Sequence, residues 1–239
     1  MKPMNQNLLK KFVSSFLLFS NVALAGDVLP KYVASTIRLS EKPEFIRTQK
    51  APDYWAFSPY YQSQQDGAAC GIASMTMLVN AARVHEKLKA SDALVTQKAL
   101  VEKIKVDYSR GLTLDKLGEA VKKALAEFSV KTTVEVIHMD GTLAQNKKIR
   151  DLLIKNEKSD QNFILANFNQ GVYTGDPEGG GHISPVGAFD EKNNQVLVMD
   201  VDREYYEPYW VSTEVFIKGM NTEDSASKKN RGLVLVEVF

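Results

Sequence analysis

Cysteine is nearly absent from this sequence. Its one example, Cys70, can close no intramolecular disulfide, which excludes a disulfide-stapled scaffold. Histidine is scarce too: His85, His138 and His182 are dispersed, and with one Cys they supply no closed site of four nitrogen and sulfur ligands. Glycine and proline stay at 14 and 8 residues in 239, with no linker-like cluster and no repeat, so collagen and low-complexity disorder are excluded and one domain is expected. An excess of one charge is also lacking. At net +1, with no basic stripe interleaved with aromatics, a nucleic-acid partner is not expected. No apolar run reaches the ~20 residues of a membrane span. The longest, Phe12–Leu24, is broken by Ser14, Ser15, Ser20 and Asn21.

That run has a different meaning. Lys2, Lys10 and Lys11 precede it and Ala23-Leu24-Ala25 closes it before Gly26, the pattern of a secretory signal with an A-x-A cleavage site. The expected division is a signal peptide at 1–25 and a single domain at 26–239, periplasmic or secreted, with no membrane contact after cleavage. Losing three lysines leaves 27 cations against 29 acids, a net −2.

Helices come first and strands afterwards. In GIASMTMLVNAAR (71–83), Ile72, Met75, Leu78, Val79 and Ala82 recur at helical spacing, predicting a helix with one apolar stripe and Cys70 at its N-terminal end. From Ser91 to Phe128 the pattern stays helical, with Leu94, Ala99, Val101 and Ile104 before Gly111, and Leu114, Leu117, Val121 and Leu125 after it. Strands are predicted at 130–139, 162–168, 182–189, 195–201 and 232–239. This segregation predicts an α+β domain with an antiparallel sheet. Gly171–Gly181 is polar and glycine-rich, and is expected to be an exposed, mobile loop.

Cys70 has two readings. A lone cysteine is commonly a small buried hydrophobe, but at a helix N-terminus the macrodipole favours the nucleophilic thiolate. A thiolate nucleophile needs a base, normally His, and a third group to hold the imidazole. His85, followed by Glu86, Lys87 and Lys89, reads as a solvated helix end, and His138, before Met139-Asp140-Gly141, as a turn-flanking structural residue. His182 differs, because it follows three glycines, which let backbone and ligand approach closely, and opens a strand. If HISPVGAF and QVLVMDV pair around 190–194, an even register with 189 opposite 195 puts 184 opposite 200. Strand periodicity then brings His182 and Asp200 to one face. Asp200, between Met199 and Val201, is a carboxylate in an apolar strand and needs a partner. Asp202 has the same parity and competes. Gln64, six residues before Cys70, can add an oxyanion donor to the Cys70 backbone N–H, with Gln62 and Gln65 as alternatives.

Four stretches together resemble the phytochelatin synthase family, the glutathione γ-glutamylcysteinyltransferases of the papain-like clan, in a bacterial short form. They are QSQQDGAACGIASMTMLVNA (62–81), GGGHISPVGAFD (179–190), VLVMDVDREYYEPYWV (196–211) and MNTEDSASKKNRG (220–232). The resemblance implies a papain-like cysteine proteinase fold, an N-terminal helical part with the Cys helix packed on a C-terminal antiparallel sheet. It implies Cys70 as nucleophile, His182 as acid/base, Asp200 as its orienter and Gln64 as oxyanion donor. Asp224 and Arg231 match positions that hold the charged γ-glutamyl end, an ammonium on a carboxylate and a carboxylate on a guanidinium. Gly181 joins the substrate-binding set. So does Arg203, for which a salt bridge to Glu204 or Glu207 is an equal explanation.

The implied reaction is attack of Cys70 on the Cys-Gly bond of glutathione, release of glycine, and transfer of the γ-glutamylcysteinyl group to water or to a second glutathione. Glutathione and related thiol peptides are the implied partners, and a homodimer is compatible with the resemblance. No tightly bound cofactor or protein-held metal is implied; Cd or Zn would arrive as a metal–glutathione thiolate substrate. Relatives commonly carry an Arg where this chain has Asn167-Phe168-Asn169-Gln170, followed by an insertion-like YTGDPEG, so the acceptor or leaving-group side is expected to differ. No cysteine-rich segment of the plant type follows Phe239 in this sequence, and hydrolysis is expected to dominate over polymer synthesis. Two other readings use the same residues: a papain-like peptidase or amidase, and a non-catalytic periplasmic protein binding thiols or metal thiolates.

Overall fold

The structure is a computed structural model and describes residues 32–83, 89 and 91–239; the expected signal peptide at 1–25 and His85 lie outside them. Strands β1 (Ile37–Arg38), β2 (Thr132–His138), β3 (Asn162–Asn169), β4 (Gly181–Asp190), β5 (Gln195–Val198), β6 (Tyr209–Ser212) and β9 (Gly232–Val238) form one antiparallel sheet in the order β1-β6-β5-β4-β3-β9-β2. A separate ribbon pairs β7 (Glu223–Asp224) with β8 (Lys229–Asn230). The helices are α1 (Glu44–Thr48), α2 (Pro52–Phe57), α3 (Cys70–Ala82), α4 (Gln97–Ile104), α5 (Leu114–Glu127), α6 (Leu143–Glu157), α7 (Gln170–Thr174) and α8 (Thr213–Met220). Helices α3, α4 and α5 share one apolar cluster on one face of the sheet, and α6 and α8 contribute to a second on the other. The α+β class with an antiparallel sheet is as predicted.

Four local expectations are corrected. Every residue of α3 is buried, not one stripe, because the helix lies between the sheet and α4 and α5. Helix α4 starts only at Gln97, where the Thr96 side chain caps Ala99 N–H, and Leu94 is left exposed. The first part of the expected mobile loop is helix α7. The Asn169 side chain caps it at Val172 N–H and Gly175 closes it in the left-handed region, while Tyr173 stacks on Phe168 at 4.1 Å. Beyond the second strand, α6 and α8 break the run of strands; α6 hides its periodicity because only Ile149, Leu153 and Asn156 of its fifteen residues are buried.

The hairpin is also subtler than expected. Asp190 faces Gln195 and Phe189 faces Val196, a register one residue off the predicted 189–195 pairing. A bulge at Gly187 then brings Val186 opposite Val198, which restores the parity that aligns 184 with 200. Glycine suits this point because a Cβ would lie 2.8 Å from Met199 Cγ. Strand β5 ends at Val198, short of the expected 201, and Asp200 follows in irregular backbone.

Candidate active site

Cys70 is the first residue of α3 and is buried. A turn delivers the chain to it: Asp66 Oδ1 accepts from Ala68 N–H at 2.9 Å and Asp66 O from Ala69 N–H at 3.1 Å. Ser74, one turn in, donates from Oγ to Ile183 O at 3.0 Å, fixing α3 against the residue after His182.

His182 Nε2 donates to Asp200 Oδ1 at 2.7 Å, with both side chains buried, and Cys70 lies near enough to act on its charge. Asp200 is well served as an anion. Oδ1 also accepts from Asp202 N–H at 2.9 Å, while Oδ2 accepts from Tyr209 OH at 2.8 Å and from Gln170 Nε2 at 3.2 Å. Burial opposes charge on both residues. For Asp200 the His182 cation and these donors outweigh it, and its carboxyl titrates below the ordinary range. For His182 the Asp200 charge and hydrogen bond, with Cys70 beside it, outweigh it in turn, so its pKa stands well above the usual imidazole value. The arrangement is a buried histidine between the Asp200 carboxylate and the Cys70 sulfur. Asp202 is not the partner of His182: burial and the neighbouring Asp200 charge raise its pKa, and its backbone amide serves Asp200.

A cleft of about 600 Å³ opens over Cys70 and His182 and is lined as well by Gly181, Asp224 and Arg231. Arg231 is buried, with Nη1 donating to Glu223 O at 2.6 Å and to Thr222 Oγ1 at 3.1 Å, and no carboxylate of the described residues forms an ion pair with it. Burial lowers its pKa, and the charge of Asp224 opposes this only in part. Gly181 leaves it room, since a Cβ there would sit 2.8 Å from Arg231 Nη2. The Asp224 carboxylate organises its own loop, accepting from Ala226 N–H at 3.1 Å and Ser227 Oγ at 2.8 Å.

Gln64 is anchored by its N–H to Val201 O at 2.8 Å, and its Oε1 is buried without a partner. The alternatives are engaged elsewhere: Gln62 accepts from Gln97 at 3.0 Å, and Gln65 donates to Tyr108 OH at 2.5 Å. Arg203 is not brought to the cleft. Its guanidinium stacks on Tyr61 at 4.4 Å, lining a hollow with Tyr32 and Arg38, and it pairs with neither Glu204 nor Glu207. His138 bridges Asp115 at 2.7 Å and Asn230 O at 2.6 Å, in keeping with a structural reading. The cleft also holds Arg110, Lys116 and Asn167, which periodicity and spacing had not singled out. Among the described residues no group of three or more His, Cys, Asp or Glu could hold a metal ion, and no helix is long and apolar enough to cross a membrane.

The chain is 25% identical over 200 residues to glutathione gamma-glutamylcysteinyltransferase 1 of Lotus japonicus, covering 81% of this chain and 37% of that protein. It is 29% identical over 225 residues to the glutathione gamma-glutamylcysteinyltransferase of Schizosaccharomyces pombe, covering 87% and 50%. The chain thus spans between a third and a half of these relatives. Among solved structures, the Pseudomonas avirulence protein AvrPphB is similar at 11% identity and a TM-score of 0.36, over 77% of this chain and 99% of that one. The profile of the family described as phytochelatin synthase matches residues 36–233, almost the whole of the described structure, and the chain belongs to that family.

Proposed function

We propose that this chain cleaves the Cys-Gly bond of glutathione through a γ-glutamylcysteinyl thioester on Cys70 and passes the acyl group to water or to a second glutathione. One observation carries this beyond a generic cysteine hydrolase: the buried guanidinium of Arg231, without an ion-pair partner among the described residues, lines the same cleft as Cys70 and His182. A buried cation of this kind calls for an anion. The α-carboxylate of a γ-glutamyl group supplies one, and Asp224 is at hand for its α-ammonium.

In this scheme Cys70 Sγ attacks the cysteinyl carbonyl carbon of glutathione. The oxyanion is met by the Cys70 backbone N–H and the Gln64 amide. His182 gives its proton to the glycine nitrogen, the C–N bond breaks, and glycine leaves. Water or the α-amino group of another glutathione then attacks the thioester, His182 takes the proton, and Cys70 departs as thiolate. Asp200 holds the imidazole throughout. Cd or Zn enters as a glutathione thiolate, a form of the substrate. Hydrolysis is the main outcome, because the acceptor side lacks the arginine common in relatives. Export with cleavage after Ala25 belongs to the same proposal and is supported by the A-x-A pattern.

The test is incubation of the purified protein with glutathione, with and without Cd(II), and identification of the products by mass. Free glycine with γ-glutamylcysteine, and a lesser amount of longer thiol peptide, is expected. Glutathione left intact while an ordinary α-linked peptide is cut would overturn the proposal.

A further inference from the structure

The Asn167 side chain makes no hydrogen bond that would serve the fold. It sits on β3 opposite Ile183 of β4 and Gly232 of β9, so its strand separates the one that carries His182 from the one preceded by Arg231. The residue is 4% exposed and lines the cleft with Cys70, and its Oδ1 is buried with no hydrogen-bond partner. Burying an amide oxygen without a donor costs stability, and a leucine of similar size would avoid that cost. An orphaned acceptor on a residue that lines a substrate cleft is accounted for by a donor that arrives with the substrate.

We propose that the Asn167 carboxamide recognises the amide bond joining the γ-glutamyl and cysteinyl parts of the acyl group, with Oδ1 accepting its N–H; this assignment rests on the glutathione reading above. The acyl group runs from Cys70 towards Arg231 and Asp224. Its carbonyl carbon and glutamyl α-carbon lie roughly 7 Å apart when extended, and β4 and β9 are separated by two strand spacings, roughly 10 Å. The connecting amide therefore hangs over β3. The other donors of the acyl group, once the glycine nitrogen has left, are committed or weak: the α-ammonium goes to Asp224 and a thiol is a poor donor. Asn167 Nδ2 makes no hydrogen bond to the described residues and is available to the amide carbonyl, so both ends of one amide are read by one side chain.

The experiment compares glutathione with an analogue in which an ester oxygen replaces that N–H, using the full chain and Asn167→Leu. The wild-type protein should lose at least ~10-fold in kcat/KM on the ester. Asn167→Leu should raise KM for glutathione by a similar factor with kcat largely kept, and should bring the amide-to-ester ratio close to one. Its Tm should match or exceed that of the wild type, which a structural role for Asn167 would not allow. Should Asn167→Leu fail to fold, Asn167→Ser, too short to reach, gives the same ratio test. An unchanged amide-to-ester ratio in the variant overturns the assignment while leaving the glutathione reading intact. Wild-type protein that releases no glycine from glutathione overturns both.

Discussion

At the residue scale the site depends on a charge that burial opposes. Asp200 stays ionised because His182, Tyr209, Gln170 and the Asp202 amide all donate to it. Asp200→Asn should keep the fold and lower kcat by up to ~10⁴-fold, the cost of a mis-set imidazole, whereas Asp202→Asn should change kcat little. The pH profile carries a second signature. The Asp200 charge helps hold His182 above its usual pKa, so its removal should move the alkaline limb of the rate to lower pH. An alkaline limb that stays in place would mean that Asp200 does not set the imidazolium. Stability follows the same signs. The raised His182 contributes below its unfolded pKa of about 6.5 and is lost as pH climbs through the folded value; the lowered Asp200 contributes above about 3.9 and is lost as pH falls. Cys70, His182 and Asp200 were legible because each is odd in its context: a sole cysteine, a histidine after glycines, a carboxylate in an apolar strand. Asn167 and Gln170 were not, because a buried asparagine or glutamine looks in sequence like one on the surface. Arg203 was misplaced for the complementary reason, since nothing in its neighbours signals the Tyr61 ring it covers.

At the element scale the position of His182 against Asp200 depends on the bulge at Gly187. The alternation pattern gave the parity correctly, but a bulge inserts one residue without marking itself in hydrophobicity, so the pairing near the turn was off by one. Helix α7 was hidden by its glycines, although Asn169 and Gly175 are ordinary cap signals at its two ends. Away from the cleft, α6 meets α2 through buried acids. Asp53 Oδ2 accepts from Asn156 Nδ2 at 2.6 Å, while Asp53 Oδ1 and Asn156 Oδ1 are both buried without partners. Burial, with the Glu157 charge, raises the Asp53 pKa well above the ordinary carboxylate range. Glu157 itself is pushed up to about 7 by burial and the Asp190 charge, against donation from Phe189 and Ala51. Its folded pKa exceeds the unfolded one, so its contribution is complete below about 4.3 and is lost as pH rises through about 7. Glu157→Gln should therefore raise Tm at pH 8 and flatten the fall in Tm between pH 5 and 8. A slope equal to that of the wild type would show that Glu157 is not the group responsible.

At the scale of the whole molecule, the sheet separates two apolar clusters, and the cleft gathers residues far apart in sequence: Cys70 from α3, Lys116 from α5, His182 from β4 and Arg231 just before β9. The α+β class was readable because helical and strand periodicities occupy different stretches. The later helices were not, since only three of the fifteen residues of α6 are buried and one of those is Asn156. The central claim is that this assembly holds a γ-glutamylcysteinyl thioester on Cys70. Its most direct test is rapid acid quenching of the protein with glutathione, followed by intact-mass and peptide analysis. The expected result is a mass gain equal to glutathione less glycine, located on the Cys70 peptide, removed by hydroxylamine and absent from Cys70→Ala. Release of glycine by Cys70→Ala at the wild-type rate, or an adduct on any other residue, would contradict it.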